Sequence, residues 1–199
     1  MLTGGNNRST TSAENPMSYA NRTLAVIVTL LVGCGFPLGP MHEPNAHDPW
    51  MIRTDFSDDE KWTVVCEQVS APQRDSIVGM DFYAYVHFKE DPQFADLGPT
   101  ELIHALPDDY PGFFCFAADA TTFSDDEHPI LVIGFSPNSV NPKDYERTPQ
   151  QTPPSDIQTL RAVPSTIQAI QNNLSIANMD FEDFTRAADP DGVFRGFSE

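Results

Sequence analysis

Three asparagines and two arginines hold the densest polar chemistry of this sequence. Asn172, Asn173 and Asn178 fall in the stretch NNLSIANMD, with Arg161 before it and Arg195 after it. Amides and guanidinium groups set among apolar residues have two uses. They satisfy one another as a hydrogen-bonded structural network, or they line a polar pocket at the end of a sheet that takes a small polar ligand or a peptide. On the second reading Arg161, Asn172, Asn173, Asn178, Asp180 and Arg195 are the candidate binding residues. Tyr83, Tyr85 and His87 form a second candidate patch, because they share one face of the alternating stretch Asp81–Lys89.

Common catalytic patterns fail on inspection. His87, His104 and His128 belong to no HExxH motif, and the cysteines show no paired spacing, so no metal site and no cofactor is expected. Asp189-Pro190-Asp191-Gly192 invites a calcium reading, but Ala187 and Ser198 stand where an EF-hand loop needs carboxylates. It reads as a turn. Gly134-Phe135-Ser136 starts like a nucleophile elbow, yet Pro137 follows the serine and has no N–H to donate to an oxyanion. Phosphate-binding and dinucleotide glycine motifs are absent. The acid pairs Asp58-Asp59, Asp108-Asp109 and Asp125-Asp126 sit at helix starts or in loops, where they read as caps and solvated turns. No catalytic residue is named.

Charge narrows the partners. The net charge is −18, and from Met51 onward nine Lys or Arg face 26 Asp or Glu. Such a surface repels nucleic-acid phosphates and anionic lipid heads, since neither attraction works without cationic side chains. A basic protein is the partner it favours. Of three cysteines, Cys66 and Cys115 fall on apolar faces and read as buried thiols that pack as small hydrophobes, with their pairing left open.

Those residues need elements to position them. Residues 1–50 read as a largely disordered leader, polar up to Asn21 and interrupted by the apolar segment Leu24–Phe36. That segment is shorter than the ~20 residues that cross a bilayer as a helix. Its Leu31-Val32-Gly33-Cys34 resembles a lipoprotein cleavage box. The leader is therefore a targeting segment, making the protein secreted or lipid-anchored at Cys34, or an over-extended start, leaving it cytoplasmic. Contact with a membrane follows only in the first case.

Regular patterning begins at Met51. Ser57 and Glu60 form a capping box for a helix over 58–70 whose stripe is Trp62, Val65, Cys66 and Val69. The alternation from Asp81 to Lys89 predicts one strand. Phe113–Ala118 and Ile130–Phe135 predict central strands covered on both faces. Residues 137–156 form a Pro-rich loop, Ile157–Val163 returns as a strand, and Pro164 opens a helix that Asn172-Asn173 ends. An extended Leu174–Ala177, a helix capped by Asn178 or Asp180, and a last strand in Val193–Phe197 follow. No internal repeat stands out. The order predicts an α+β fold: a single compact domain over 51–199, with a central mixed sheet of four to five strands and helices packed on it.

Two motifs carry a resemblance. RTDFSDD, at Arg53–Asp59, opens the unit, and NNLSIANMDF, at Asn172–Phe181, closes on DGVFRGF at Asp191–Phe197. Together they resemble a family of small bacterial and fungal domains of unknown function. The resemblance implies domain limits from about Met51 to Phe197 and a self-sufficient fold; it supplies no chemistry. The functional expectation is a non-enzymatic protein-interaction module for a basic partner. The alternative is a small-ligand-binding protein or enzyme that uses the Asn/Arg cluster.

Overall fold

The computed structural model describes residues 45–75, 79–136, 143 and 146–197. The apolar segment Leu24–Phe36, Cys34 and the first part of the Pro-rich loop lie outside them. The chain runs β1 (Trp50–Arg53), α1 (Asp59–Ser70), β2 (Gln73–Arg74), β3 (Asp81–Phe82), β4 (His87–Lys89), α2 (Pro99–Ala105), β5 (Phe114–Ala118), α3 (Ala120–Ser124), β6 (Ile130–Gly134), β7 (Gln158–Ala162), α4 (Ile167–Ser175), α5 (Phe181–Ala187) and β8 (Val193–Phe194).

Six strands make one mixed sheet in the order β4-β1-β5-β6-β7-β8, and β2 pairs with β3 in a small hairpin. Only β6 runs against the rest of the six. Successive side chains of a strand point to opposite faces, and the core divides accordingly. Met51, Phe114, Phe116 and Ala118 pack against Trp62, Val65, Cys66 and Val69 of α1, Ile167 and Ile170 of α4 and Phe184 of α5. Ile52, Cys115, Ala117 and Ile133 pack on the other face against Leu102 and Ile103 of α2. The α+β class stands, with a sheet larger than the four to five strands expected. Trp50–Arg53 supplies a strand that its four residues, ending in a charge, did not announce.

The Asp81–Lys89 strand is corrected. Its ends belong to different sheets: Phe82 pairs with Gln73 in the hairpin, and His87–Lys89 pairs with Trp50–Ile52. Tyr83–Val86 between them is not strand. β1 is too short to partner nine extended residues, so pairing stops where its hydrogen bonds run out. The α1 cap is also corrected. Asp58, in extended backbone, accepts from the Lys61 N–H at 3.0 Å, while the Ser57 N–H turns back to the Asp55 carboxylate.

α4 does not end at Asn172-Asn173. It continues to Ser175, which removes the extended piece expected over Leu174–Ala177, and the left-handed residue beyond it is Ala177, at φ 51°. Asn173 is held inside the helix by donating its amide to Ala169 O at 2.8 Å. Asp180 caps α5 through a reciprocal box with Asp183. The described end of the Pro-rich loop is docked on the domain: Pro149 and Thr152 are buried, and Thr152 O meets His104 Nε2 at 2.9 Å. Cys66 and Cys115 are fully buried on opposite faces of the sheet, so they do not pair with each other.

Candidate functional site

Five of the six strands end at one edge of the sheet, and three guanidinium groups are spaced along it. Arg53, the last residue of β1, is only 1% exposed. Its Nε donates to Asp55 O at 2.8 Å, one amine nitrogen to Glu90 at 3.2 Å and the other to Asp59 at 2.7 Å. The rings of Phe56, Trp62 and Phe123 lie 4.7, 5.9 and 6.0 Å from its carbon. Trp62 also donates its indole N–H to the second oxygen of Glu90 at 2.7 Å. A buried charge needs partners, and here two carboxylates and a carbonyl give each of the three guanidinium nitrogens one, under an aromatic cover.

Arg161 on β7 reaches Asp119, the residue after β5, through two hydrogen bonds of 2.8 and 2.6 Å, and donates to Pro129 O at 3.1 Å. Asp119 also caps α3 by accepting the Thr122 N–H at 3.1 Å. Burial alone would raise the Asp119 carboxyl. The Arg161 hydrogen bonds and the Thr122 N–H outweigh it and hold the group below the usual carboxylate range.

Arg195, just after β8, sits among three carboxylates. Glu127 accepts from it at 3.0 Å and 2.5 Å, Asp189 at 2.8 Å, and Asp191 at 3.1 and 2.8 Å. Its hydrogen bonds lower Glu127 and Asp191 and raise Arg195 itself. An open groove of about 530 Å³ lies beside it, lined by Gln68, Gln73, Asp126, Glu127 and Ser165.

The residues singled out in the sequence are therefore dispersed rather than gathered. Asn178 donates its amide to Asn173 Oδ1 at 2.6 Å, so those two meet. Asn172 is exposed, and its carbonyl accepts from the Ile176 N–H. Asp180 stays at its cap. Arg161 and Arg195 turn to acidic partners on other loops, not to the asparagines. Tyr85 is exposed with its N–H on Gln171 Oε1 at 3.3 Å, Tyr83 is half-buried, and His87 Nε2 meets Asn45 O at 2.8 Å. Among the described residues no group of three His, Cys, Asp or Glu is placed to hold a metal ion, and no helix is long and apolar enough to cross a membrane.

Sequence reasoning missed Arg53, Asp119 and Glu127, and it missed a repeat. Thr54–Glu60 reads TDFSDDE and Thr121–Glu127 reads TTFSDDE. The two heptads follow β1 and β5, which are hydrogen-bonded neighbours. Their phenylalanines, Phe56 and Phe123, both cover Arg53. Lys61, next after the first heptad, donates its amine to Phe123 O in the second.

What this edge does chemically follows from its charges. Each of the six described arginines already pairs with at least one carboxylate. The surplus carboxylates, Asp58, Glu60, Asp125 and Asp126 among them, face solvent or serve backbone N–H groups. Asp119, Glu127 and Asp191 are all held ionised. A general acid working near neutral pH needs the opposite shift.

The model of one family, described as a domain of unknown function (DUF6924), matches residues 48–197. No curated protein and no solved structure matches the chain.

Proposed function

We infer that this chain, which belongs to the DUF6924 family of domains of unknown function, is a non-enzymatic interaction module whose acidic sheet edge receives a basic protein. One observation carries the reading: each of the six described arginines is engaged by carboxylates of the same domain, and the three described lysines are too few to balance the acidic residues that remain. Unbalanced charge of one sign steers a partner of the other sign and excludes partners of the same sign. The lowered carboxylates support the non-enzymatic part. The small-ligand alternative draws less support, because Arg161 is engaged with Asp119 and Pro129 O and Asn178 with Asn173.

The test is a titration of the immobilised full chain with Lys- and Arg-rich peptides, acidic peptides of equal length, and a panel of purified basic proteins. Binding of basic members at low salt, weakened by salt and by the double change Glu60→Lys with Asp126→Lys, is the expected result. Neither residue pairs with an arginine among the described residues. Equal retention of acidic and basic peptides, or affinity indifferent to salt, defeats the reading.

A further inference from the structure

The repeated heptads place the same four residues, Ser-Asp-Asp-Glu, at two points on the acidic edge. Ser57 and Ser124 are both exposed. The Ser57 hydroxyl makes no hydrogen bond among the described residues, and that of Ser124 makes one, of 3.3 Å, to Thr121 O. Each serine is followed at +1, +2 and +3 by Asp, Asp and Glu. Kinases choose substrates by charge pattern, and a run of carboxylates just after a hydroxyl fits a substrate cleft lined by Lys and Arg.

We propose that Ser57 and Ser124 are a matched pair of phosphoacceptors for an acid-directed serine kinase. In the step, the serine Oγ attacks the γ-phosphorus of a magnesium-bound nucleoside triphosphate. The bond to the diphosphate leaving group breaks, a phosphate monoester forms, and the hydroxyl proton passes to the kinase's base. The kinase supplies the catalysis and ATP the phosphoryl group; this chain supplies the acceptor and the acidic pattern.

Local structure ranks the two sites. Ser124 closes α3, a helix of five residues, and Asp125 after it is extended, at φ −99° and ψ 139°. Asp119 caps α3 and Phe123 anchors it in the core, but the chain from Asp125 onward is already out of the helix, and Asp125 has the extended form a kinase cleft accepts. Ser57 precedes extended Asp58, but Asp59 and Glu60 are wound into the 12-residue α1, and Asp59 is held by Arg53. Each run has one acid tied to an arginine, Asp59 to Arg53 and Glu127 to Arg195, and Ser124 is the faster acceptor because Asp125 and Asp126 after it are not wound into a helix. The two esters also act in opposite directions. A dianion ahead of the α1 N-terminus meets the positive end of its dipole, whereas one at the α3 C-terminus meets the negative end and Asp125.

This proposal does not rest on the basic-partner reading, because phosphate on a mapped serine is read by mass alone. The full chain is incubated with magnesium, ATP and a purified acid-directed serine kinase whose activity is verified on an acidic peptide. Two phosphates are expected, mapped to Ser57 and Ser124. Ser57→Ala and Ser124→Ala should each take one, and the double variant none. Asp126→Asn should slow the Ser124 reaction at least fivefold and leave Ser57 unchanged. No incorporation into the folded chain, phosphate remaining on the double variant, or indifference to Asp126→Asn overturns the proposal. Circular dichroism confirms that each variant keeps the fold; both serines are exposed, so no loss is expected.

Discussion

Arg161 and Asp119 meet over the start of β6, a strand that belongs to neither of them, through two parallel hydrogen bonds of 2.8 and 2.6 Å. The pair ties β7 to the β5–α3 junction and fixes the α3 cap at the same time, because Asp119 also accepts the Thr122 N–H. The side chains are 24% and 26% exposed, so the pair is shielded but not dry. Truncation to Asp119→Ala should cost about 2–3 kcal/mol at pH 7, between an exposed pair and a fully buried one. Urea denaturation checks this.

The same carboxylate gives a pH dependence of known sign. Asp119 binds its proton less readily folded than unfolded. Its stabilisation is therefore complete above the unfolded carboxylate value, near pH 4, and is lost as pH falls through the lower folded value. Below about pH 4 the stability gap between the wild-type chain and Asp119→Asn should shrink. Denaturation midpoints from pH 7 down to pH 2.5 measure it. A gap that stays constant would mean that Asp119 titrates normally in the folded chain.

Gly134 and Phe181 supply a steric test of the same sheet. A Cβ on Gly134 would lie 2.7 Å from Phe181 Cδ2 and 3.0 Å from Cε2. Phe181 opens α5 and is packed against the first core, so the ring yields only by disturbing that helix. Gly134→Ala should destabilise by about 1–3 kcal/mol. In a Phe181→Ala background the obstacle is gone, and the cost of Gly134→Ala should fall well below that. The double-mutant cycle reads the coupling directly.

Ala177 stands at φ 51°, where a side chain costs roughly 1–2 kcal/mol. Glycine removes that strain but adds freedom to the unfolded chain, worth about 0.4–1 kcal/mol. Ala177→Gly should therefore stabilise by about 0.5–1 kcal/mol, seen as a higher denaturation midpoint with an unchanged slope. The outcome also tests the loop itself, since Asn178 beside it is fixed to Asn173.

Elements that repeat a physical period were legible in the sequence. The α1 stripe of Trp62, Val65, Cys66 and Val69 and the apolar runs of β5 and β6 fall where periodicity puts them. Period two misled over Asp81–Lys89, because alternation reports an extended chain with one dry side and does not say which neighbour it pairs with. Ala177 was missed because a left-handed alanine has no sequence mark. The edge cluster was invisible for another reason. Arg161 and Asp119 are 42 residues apart and Arg195 and Glu127 are 68 apart, so only the fold turns them into neighbours. The TxFSDDE repeat is present in the sequence but is too short to read as a structural repeat.

The two described thiols can report on whether the two cores open together. Cys66 lies in α1 on one face of the sheet, Cys115 in β5 on the other, and both are fully buried. Burial pushes the Cys115 thiol well above its ordinary value, which makes the reactive thiolate scarce. In a Cys34→Ser chain neither should react with a thiol reagent in native buffer, and both should react in denaturant. Labelling at low urea separates two routes. Equal rates at both cysteines mean that access needs global unfolding of the sheet. Faster labelling of Cys66 would mean that α1 lifts off first and exposes its face alone. The Arg53 contacts to Asp59 and Trp62 anchor the start of α1 to the sheet, so equal rates are expected in the Cys34→Ser chain. An added Arg53→Met change should then accelerate Cys66 selectively.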